Sequence, residues 1–352
     1  MKGEIASLTG LRGVAAWFVV GYHFRSVFVE QFPAVEYVLS HGYYAVDLFF
    51  LLSGFILYYT ASQYFDRDRF FYSSRRFLFD RFARIYPLHI VILCAYLINP
   101  IALLLFSDSG EIGDRYPALY FLASLFLVQN WGGFDSLFWN VPAWSISSEF
   151  AAYLIFPLVA LVVFSLRRGV AVVWLLGLFG LFVLLHFYFG LISMAENISK
   201  YGTLRCVFEF LMGLVLGRIF ILSSSTCNVF LLSFIQISIL ILFAVGLRSG
   251  VPDFYFVPAL MCLLLYSLAR DRGLLARLLS LPIFRYLGVI SYSTYLSHYF
   301  VLDWVKFLST SIGLLQFFVY LLLVFVMSVF LFRHVEVPAR VYLKSKFSHL
   351  YA

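Results

Sequence analysis

An all-α bundle of about ten membrane-spanning helices is what this sequence predicts. Of 352 residues, 63% are hydrophobic and only 12% are charged. A water-soluble domain carries roughly a quarter of its residues as charges. The mean hydropathy is +0.94, and the apolar stretches are long and unbroken, not alternating as in a short-stranded barrel. A chain this apolar has lipid as its solvent.

A spanning helix needs roughly 20 apolar residues. In chain order, such runs fall at 11–29, 43–61, 85–106, 141–165, 170–189, 203–222, 229–247, 255–269, 286–307 and 316–332. Pro87 suits the start of the third run. "YFLASLFLVQNW" at 120–131 is apolar but too short to cross, so it reads as a re-entrant or interfacial segment. With ten spans, Arg67, Arg69, Arg75, Arg76, Arg81 and Arg84 share one side with Arg167, Arg168, Arg218, Arg270, Arg272, Arg277, Arg285, Arg333, Arg340, Lys344 and Lys346. The opposite loops hold Arg25, Arg115, Lys200, Arg205, Arg248 and Lys306, with the acidic Asp108, Glu111 and Asp114. That asymmetry predicts both termini, and the loop 62–84, in the cytoplasm. The net charge of +7 is then a topology signal and not a nucleic-acid surface. Cys94, Cys206, Cys227 and Cys262 form no CxxC pair, so packing roles are expected, with no disulfide framework and no metal site. Residues 1–352 are expected to form a single transmembrane domain with no appended soluble domain.

Against this apolar background the ionisable residues are conspicuous, because a charge in a membrane span costs about 2.5–3.5 kcal/mol on insertion scales. Arg12 and His23 are eleven positions apart in the first span. On a helix that spacing puts both on one face, roughly 16 Å apart. His23 is either a general base or a histidine bonded to a neighbouring helix. Asp47, near the start of the second span, can orient that imidazole or cap its own helix. Arg81 and Arg84 are i, i+3 neighbours among six arginines in 18 residues. They can clamp phosphate or simply set topology. Glu149 lies in the fourth span, and His298 is deep in the ninth; each is either functional or structural. Arg205 and Glu209 are spaced i, i+4 and read as a structural pair. Gly54 in "LSGF", and Gly213 and Gly217 in "GLVLG", suit close helix approach.

Five segments in order carry a resemblance. "LTGLRGVAAWFVVGYHF" holds Arg, ten residues, then His; "AVDLFFLLSGF" and "RFARIYP" follow; then come "VPAWSISSEF" and "LGVISYSTYLSHYF". Together they resemble the acyltransferase-3 family of integral membrane acyltransferases, whose members include bacterial O-acetyltransferases of cell-surface glycans. One departure is the single acidic residue in Ser148-Glu149-Phe150, where many members have two.

The resemblance implies an acyl-CoA donor, commonly acetyl-CoA, held near Arg12, Arg81, Arg84 and Tyr86. It implies an acceptor hydroxyl on a glycan or lipid-linked sugar near Trp144, Ser145, Tyr292 and His298. His23 would be the base, oriented by Asp47 or Glu149. The expected location is the bacterial inner membrane, with membrane lipid around the chain and homo-oligomerisation left open. A transporter or flippase for a polar glycan is the alternative, since intramembrane charges also line transport paths. No clear internal repeat of the kind transporters use is present.

Overall fold

The computed structural model describes residues 4–62, 65, 68–106, 114–223, 228–309 and 311–347. Arg67, Asp108, Glu111, Cys227 and His349 lie outside the described residues. The described chain is helical, without strands. In order the helices are α1 (Ala6–Phe24), α2 (Pro33–Ser40), α3 (Tyr44–Ala61), α4 (Phe70–Ala95), α5 (Ile98–Phe106), α6 (Ala118–Leu125), α7 (Trp144–Val163) and α8 (Arg168–Tyr188). They continue as α9 (Ile198–Ile221), α10 (Val229–Arg248), α11 (Val257–Leu268), α12 (Leu274–Leu279), α13 (Pro282–Val289), α14 (Ser291–Leu308), α15 (Leu314–Leu331) and α16 (Val337–Lys346).

Among the described residues, six helical stretches are long and apolar enough to cross a membrane: Pro33–Ala61, Phe70–Phe106, Val141–Val163, Arg168–Tyr188, Val229–Arg248 and Leu314–Lys346. Helices α1, α9 and α14 have 19, 24 and 18 residues, or roughly 27–36 Å of axis against a hydrocarbon core of about 30 Å. Their hydropathy is lower because each carries polar groups that the bundle buries, such as Arg205 and Glu209 on α9 and Ser293, Ser297 and His298 on α14. The apolar segment near 120–131 contains only the eight-residue α6, about 12 Å long.

The third span departs from expectation. Pro87 lies inside α4, which begins back at Phe70. Residues 70–84 are therefore helix and not loop. The reason is that Ser73, Phe77 and Ala83 pack against the bundle, while Arg81 and Arg84 turn into a cleft, so the arginines do not stop the helix. The run then breaks at Tyr96 and Leu97 before α5.

Helices α3 and α9 form the centre of the bundle. The α3 stretch is 72% buried, whereas α8 and α10 are each only 17% buried and present their apolar faces outward. The two central helices meet backbone to backbone. A Cβ on Gly54 would sit 2.0 Å from the Phe210 carbonyl oxygen, and one on Gly213 would sit 1.9 Å from that of Leu51. Lipid gives helices little hydrophobic reason to associate, so this close van der Waals approach is what holds the pair. Gly213→Ala is expected to cost about 1–3 kcal/mol, the usual penalty of overpacking. Thermal denaturation in detergent checks this, with Gly177→Ala as the control, since a Cβ at Gly177 meets nothing within 4 Å. Equal melting of Gly213→Ala and wild type would contradict the backbone contact.

Candidate active site

A cleft between α1, α3, α4, α7 and α14 gathers four of the ionisable residues singled out in the sequence, Arg12, Arg81, Arg84 and Glu149. Its lining includes Arg12, Arg81, Arg84, Glu149, Ser145 and Tyr292, with Ser53, Tyr153 and Tyr295. It encloses about 770 Å³ of empty space, counted to its open mouth. Arg12, Arg81 and Arg84 come from two helices and form no ion pair among the described residues. The Nε of Arg81 is buried without a hydrogen-bond partner. Carboxylates are near but engaged. Tyr153 donates to Glu149 Oε1 at 2.5 Å, and Ser293 donates to Glu336 Oε2 at 2.8 Å. The far wall of the cleft is held by the Tyr295 hydroxyl, 2.8 Å from Ser145 Oγ and donating to the Pro142 carbonyl at 3.0 Å. Tyr292 donates to the Ile85 carbonyl at 2.6 Å, which ties α14 to α4.

Beyond Tyr295, one turn along α14, lies a histidine pair. The His23 and His298 ring centroids are 5.2 Å apart. His23 is half-buried, with Tyr299 edge-on at 5.0 Å. His298 is fully buried. Its Nδ1 is 2.5 Å from the Tyr295 carbonyl. A carbonyl only accepts, so Nδ1 carries the proton and Nε2 carries the lone pair. That Nε2 is buried and unpartnered.

Four residues are not where the sequence reading put them. Asp47 does not orient His23. Its carboxylate is sealed between α3 and α9, with Arg205 Nε 2.9 Å from Oδ1. Arg205 therefore pairs across helices and not with Glu209 on its own helix. Glu209, also fully buried, shares this seam as a second carboxylate. Glu149 does not reach His23 either, because it belongs to the arginine cleft, at the level of Arg12 on α1. Trp144 packs behind the cleft, edge-on to Phe50 at 5.8 Å and under the Arg205 guanidinium at 5.3 Å. Tyr86 stacks on Phe82 at 4.5 Å outside the cleft, since two positions on from Arg84 is about 200° around the helix.

Three contributors escaped the sequence reading. Glu336 follows the last long helix and is 4% exposed, with Arg84, Arg340 and Arg12 as its charged surroundings. The signal available was a carboxylate in "RHVEVP", amid cations at the end of a span. Tyr153 and Tyr299 carried no distinguishing signal among 24 tyrosines.

Comparison with known proteins follows from this geometry. A family profile described as an acyltransferase domain, the acyltransferase-3 family, matches residues 5–333. The chain belongs to that family. It is similar to acyltransferase MdmB of Streptomyces mycarofaciens, 36% identical over 165 residues, covering 44% of this chain and 39% of that protein. It is also similar to the putative O-acetyltransferase SACOL0978 of Staphylococcus aureus (strain COL), 23% identical over 366 aligned residues, covering 96% of this chain and 57% of the relative. Protein 2 in the picA locus of Rhizobium radiobacter is 36% identical over 155 residues, 40% of this chain and 75% of that protein. The chain thus spans well under two thirds of the first two relatives' lengths. No solved structure matches it.

The Asp47–Arg205–Glu209 seam generates its own prediction. Arg205→Met leaves two buried carboxylates facing each other and should cost about 3–5 kcal/mol, as when one partner of a buried pair is removed. The triple change Asp47→Asn, Arg205→Met, Glu209→Gln should recover most of that loss, because no uncompensated charge remains. Denaturant titration in detergent measures both. Unchanged stability of Arg205→Met would show that the pair does not hold α3 to α9.

Proposed function

We propose that this chain is a membrane O-acyltransferase that moves an acetyl group from cytosolic acetyl-CoA to a hydroxyl of a glycan or lipid-linked sugar. The observation that carries the reading is the division of labour along one helix. At one end of α14, Tyr292 and Tyr295 line a cleft with three guanidiniums and the Glu149 carboxylate, and none of the three is in an ion pair among the described residues. At its middle, His298 meets His23. The donor's phosphates match the guanidiniums, which bind phosphate with charge-assisted hydrogen bonds. Its slender pantetheine arm would run along the cleft towards Tyr295 at the far wall.

In this reading His23 takes the proton from the acceptor hydroxyl as the oxygen attacks the thioester carbonyl. The new C–O bond forms, the C–S bond breaks, and the departing thiolate takes the proton back from the imidazolium. His298 replaces the carboxylates as the group that positions His23, by ring contact, and its own buried Nε2 stays unpartnered. Ten spans with both termini in the cytoplasm of a bacterial inner membrane would place the arginine end inside, where acetyl-CoA is made. The Lys344–Asp80 ion pair at 2.5 Å sets the C-terminal α16 beside the first half of α4, on the same side as its arginines.

Two variants of the purified protein test the reading together. Arg84→Ala should weaken acetyl-CoA binding about ten- to a hundredfold, the value of a lost charge-assisted contact. His23→Gln should bind acetyl-CoA as wild type does yet lose transfer by about 10²–10⁴-fold, because Gln keeps hydrogen bonding but cannot carry a proton. Wild-type acetyl-CoA affinity in Arg84→Ala would refute the donor site. Substantial transfer by His23→Gln would refute the base.

A further inference from the structure

A second cleft, enclosing about 800 Å³ of empty space counted to its open mouth, lies at the same end of the bundle as His23. Among its lining residues are Asn99, Arg115, Tyr116, Asp303, Trp304 and Lys306. Its volume falls within the range of small-molecule sites, about 300–1,000 Å³. None of these residues belongs to the arginine cleft.

Three features make it a built site. First, its aromatic walls are fixed. Trp304 Nε1 donates to Asn99 Oδ1 at 3.0 Å, and the same amide's Nδ2 donates to the Tyr116 hydroxyl at 3.4 Å. Second, its polar floor is organised. Arg115 Nη2 donates to both oxygens of Asp303 at 2.8 Å, with Lys306 in the same lining, so fixed hydrogen-bonding groups face the cleft. Third, it communicates with the histidines. The Arg115 guanidinium lies 5.5 Å from the Tyr299 ring centre, and the same ring is edge-on to His23. Residues 292, 295, 298, 299, 303 and 306 therefore form one stripe down α14, about 21 Å long, from the arginine cleft past the histidines to this second cleft.

The chemistry selects the ligand. A lipid tail would leave the Arg115–Asp303 pair and Asn99 facing hydrocarbon. A phosphate would meet the Asp303 carboxylate held on Arg115 as well as Lys306. A sugar ring presents apolar C–H faces to aromatic walls and hydroxyls to planar carboxylate, guanidinium and amide groups. We infer that the cleft lined by Asn99, Tyr116, Asp303 and Trp304 is the acceptor subsite, and that it holds one sugar unit of the glycan with a hydroxyl directed towards His23. This rests on the glycan-acceptor reading above and adds to it the place and the residues of recognition.

The test uses purified full-length protein, radiolabelled acetyl-CoA and alkali-de-esterified surface polysaccharide from the source strain. Trp304→Ala should raise the half-saturating polysaccharide concentration about tenfold or more. The half-saturating acetyl-CoA concentration should stay unchanged. Trp304→Phe, which keeps an aromatic face, should stay close to wild type. Tyr116→Ala supplies the same readout if Trp304→Ala does not fold. An unchanged polysaccharide requirement in the folded alanine variant overturns the subsite while leaving the glycan reading intact. If wild type releases CoA but labels no polysaccharide, the glycan reading itself fails and takes the subsite with it.

Discussion

Two carboxylates and one guanidinium sealed between α3 and α9 set the terms for the rest of this structure. Asp47 and Glu209 are fully buried and Arg205 is 5% exposed. Charges this deep persist only when they face one another, because desolvation costs several kcal/mol per ion. The pair therefore fixes the register of the two central helices, and the facing Gly54 and Gly213 let their backbones touch along it. Arg205 also sits over the Trp144 ring, so the start of α7 is positioned by the same group. Ser145 and Glu149, on that helix, inherit their places in the arginine cleft from this seam.

The bundle thus solves one problem repeatedly. Lipid offers no partners to polar groups, so each ionisable side chain is either matched inside or turned towards a cavity. Asp47 and Arg205 are matched, with Glu209 sealed beside them. Arg115 and Asp303 are matched at the rim. Arg12, Arg81 and Arg84 line a cavity without an ion pair among the described residues, and His298 keeps an unused Nε2 beside His23.

Helix positions and the ionisable residues of interest were legible in the sequence because lipid solvent makes each deviation from apolarity expensive. Placing Arg12 and His23 on one face needed only helix geometry, and Arg81 and Arg84 do share one cavity with Arg12. Partnership was not legible. Asp47 looked like a companion of His23 because the two are close in sequence and depth, but α3 turns that carboxylate towards α9. Nothing local marks that rotation; it is imposed by Gly54 and Gly213 meeting the opposite backbone. Tyr86 and Trp144 failed for a related reason. A motif marks residues a family keeps, and it does not separate those that line a cavity from those that pack behind it. The start of α4 was missed because six arginines suggested a loop, whereas Ser73, Phe77 and Ala83 pack the segment against the bundle.

The central claim is that donor and acceptor meet at the histidine pair from opposite ends of one bundle. It is tested most directly by reconstituting the protein into vesicles with de-esterified polysaccharide sealed inside and sorting for molecules whose arginine cleft faces out. Radiolabelled acetyl-CoA is then added outside only. The account predicts label on the enclosed polysaccharide while the vesicles stay sealed. Label confined to polysaccharide supplied on the same side as the acetyl-CoA would contradict it.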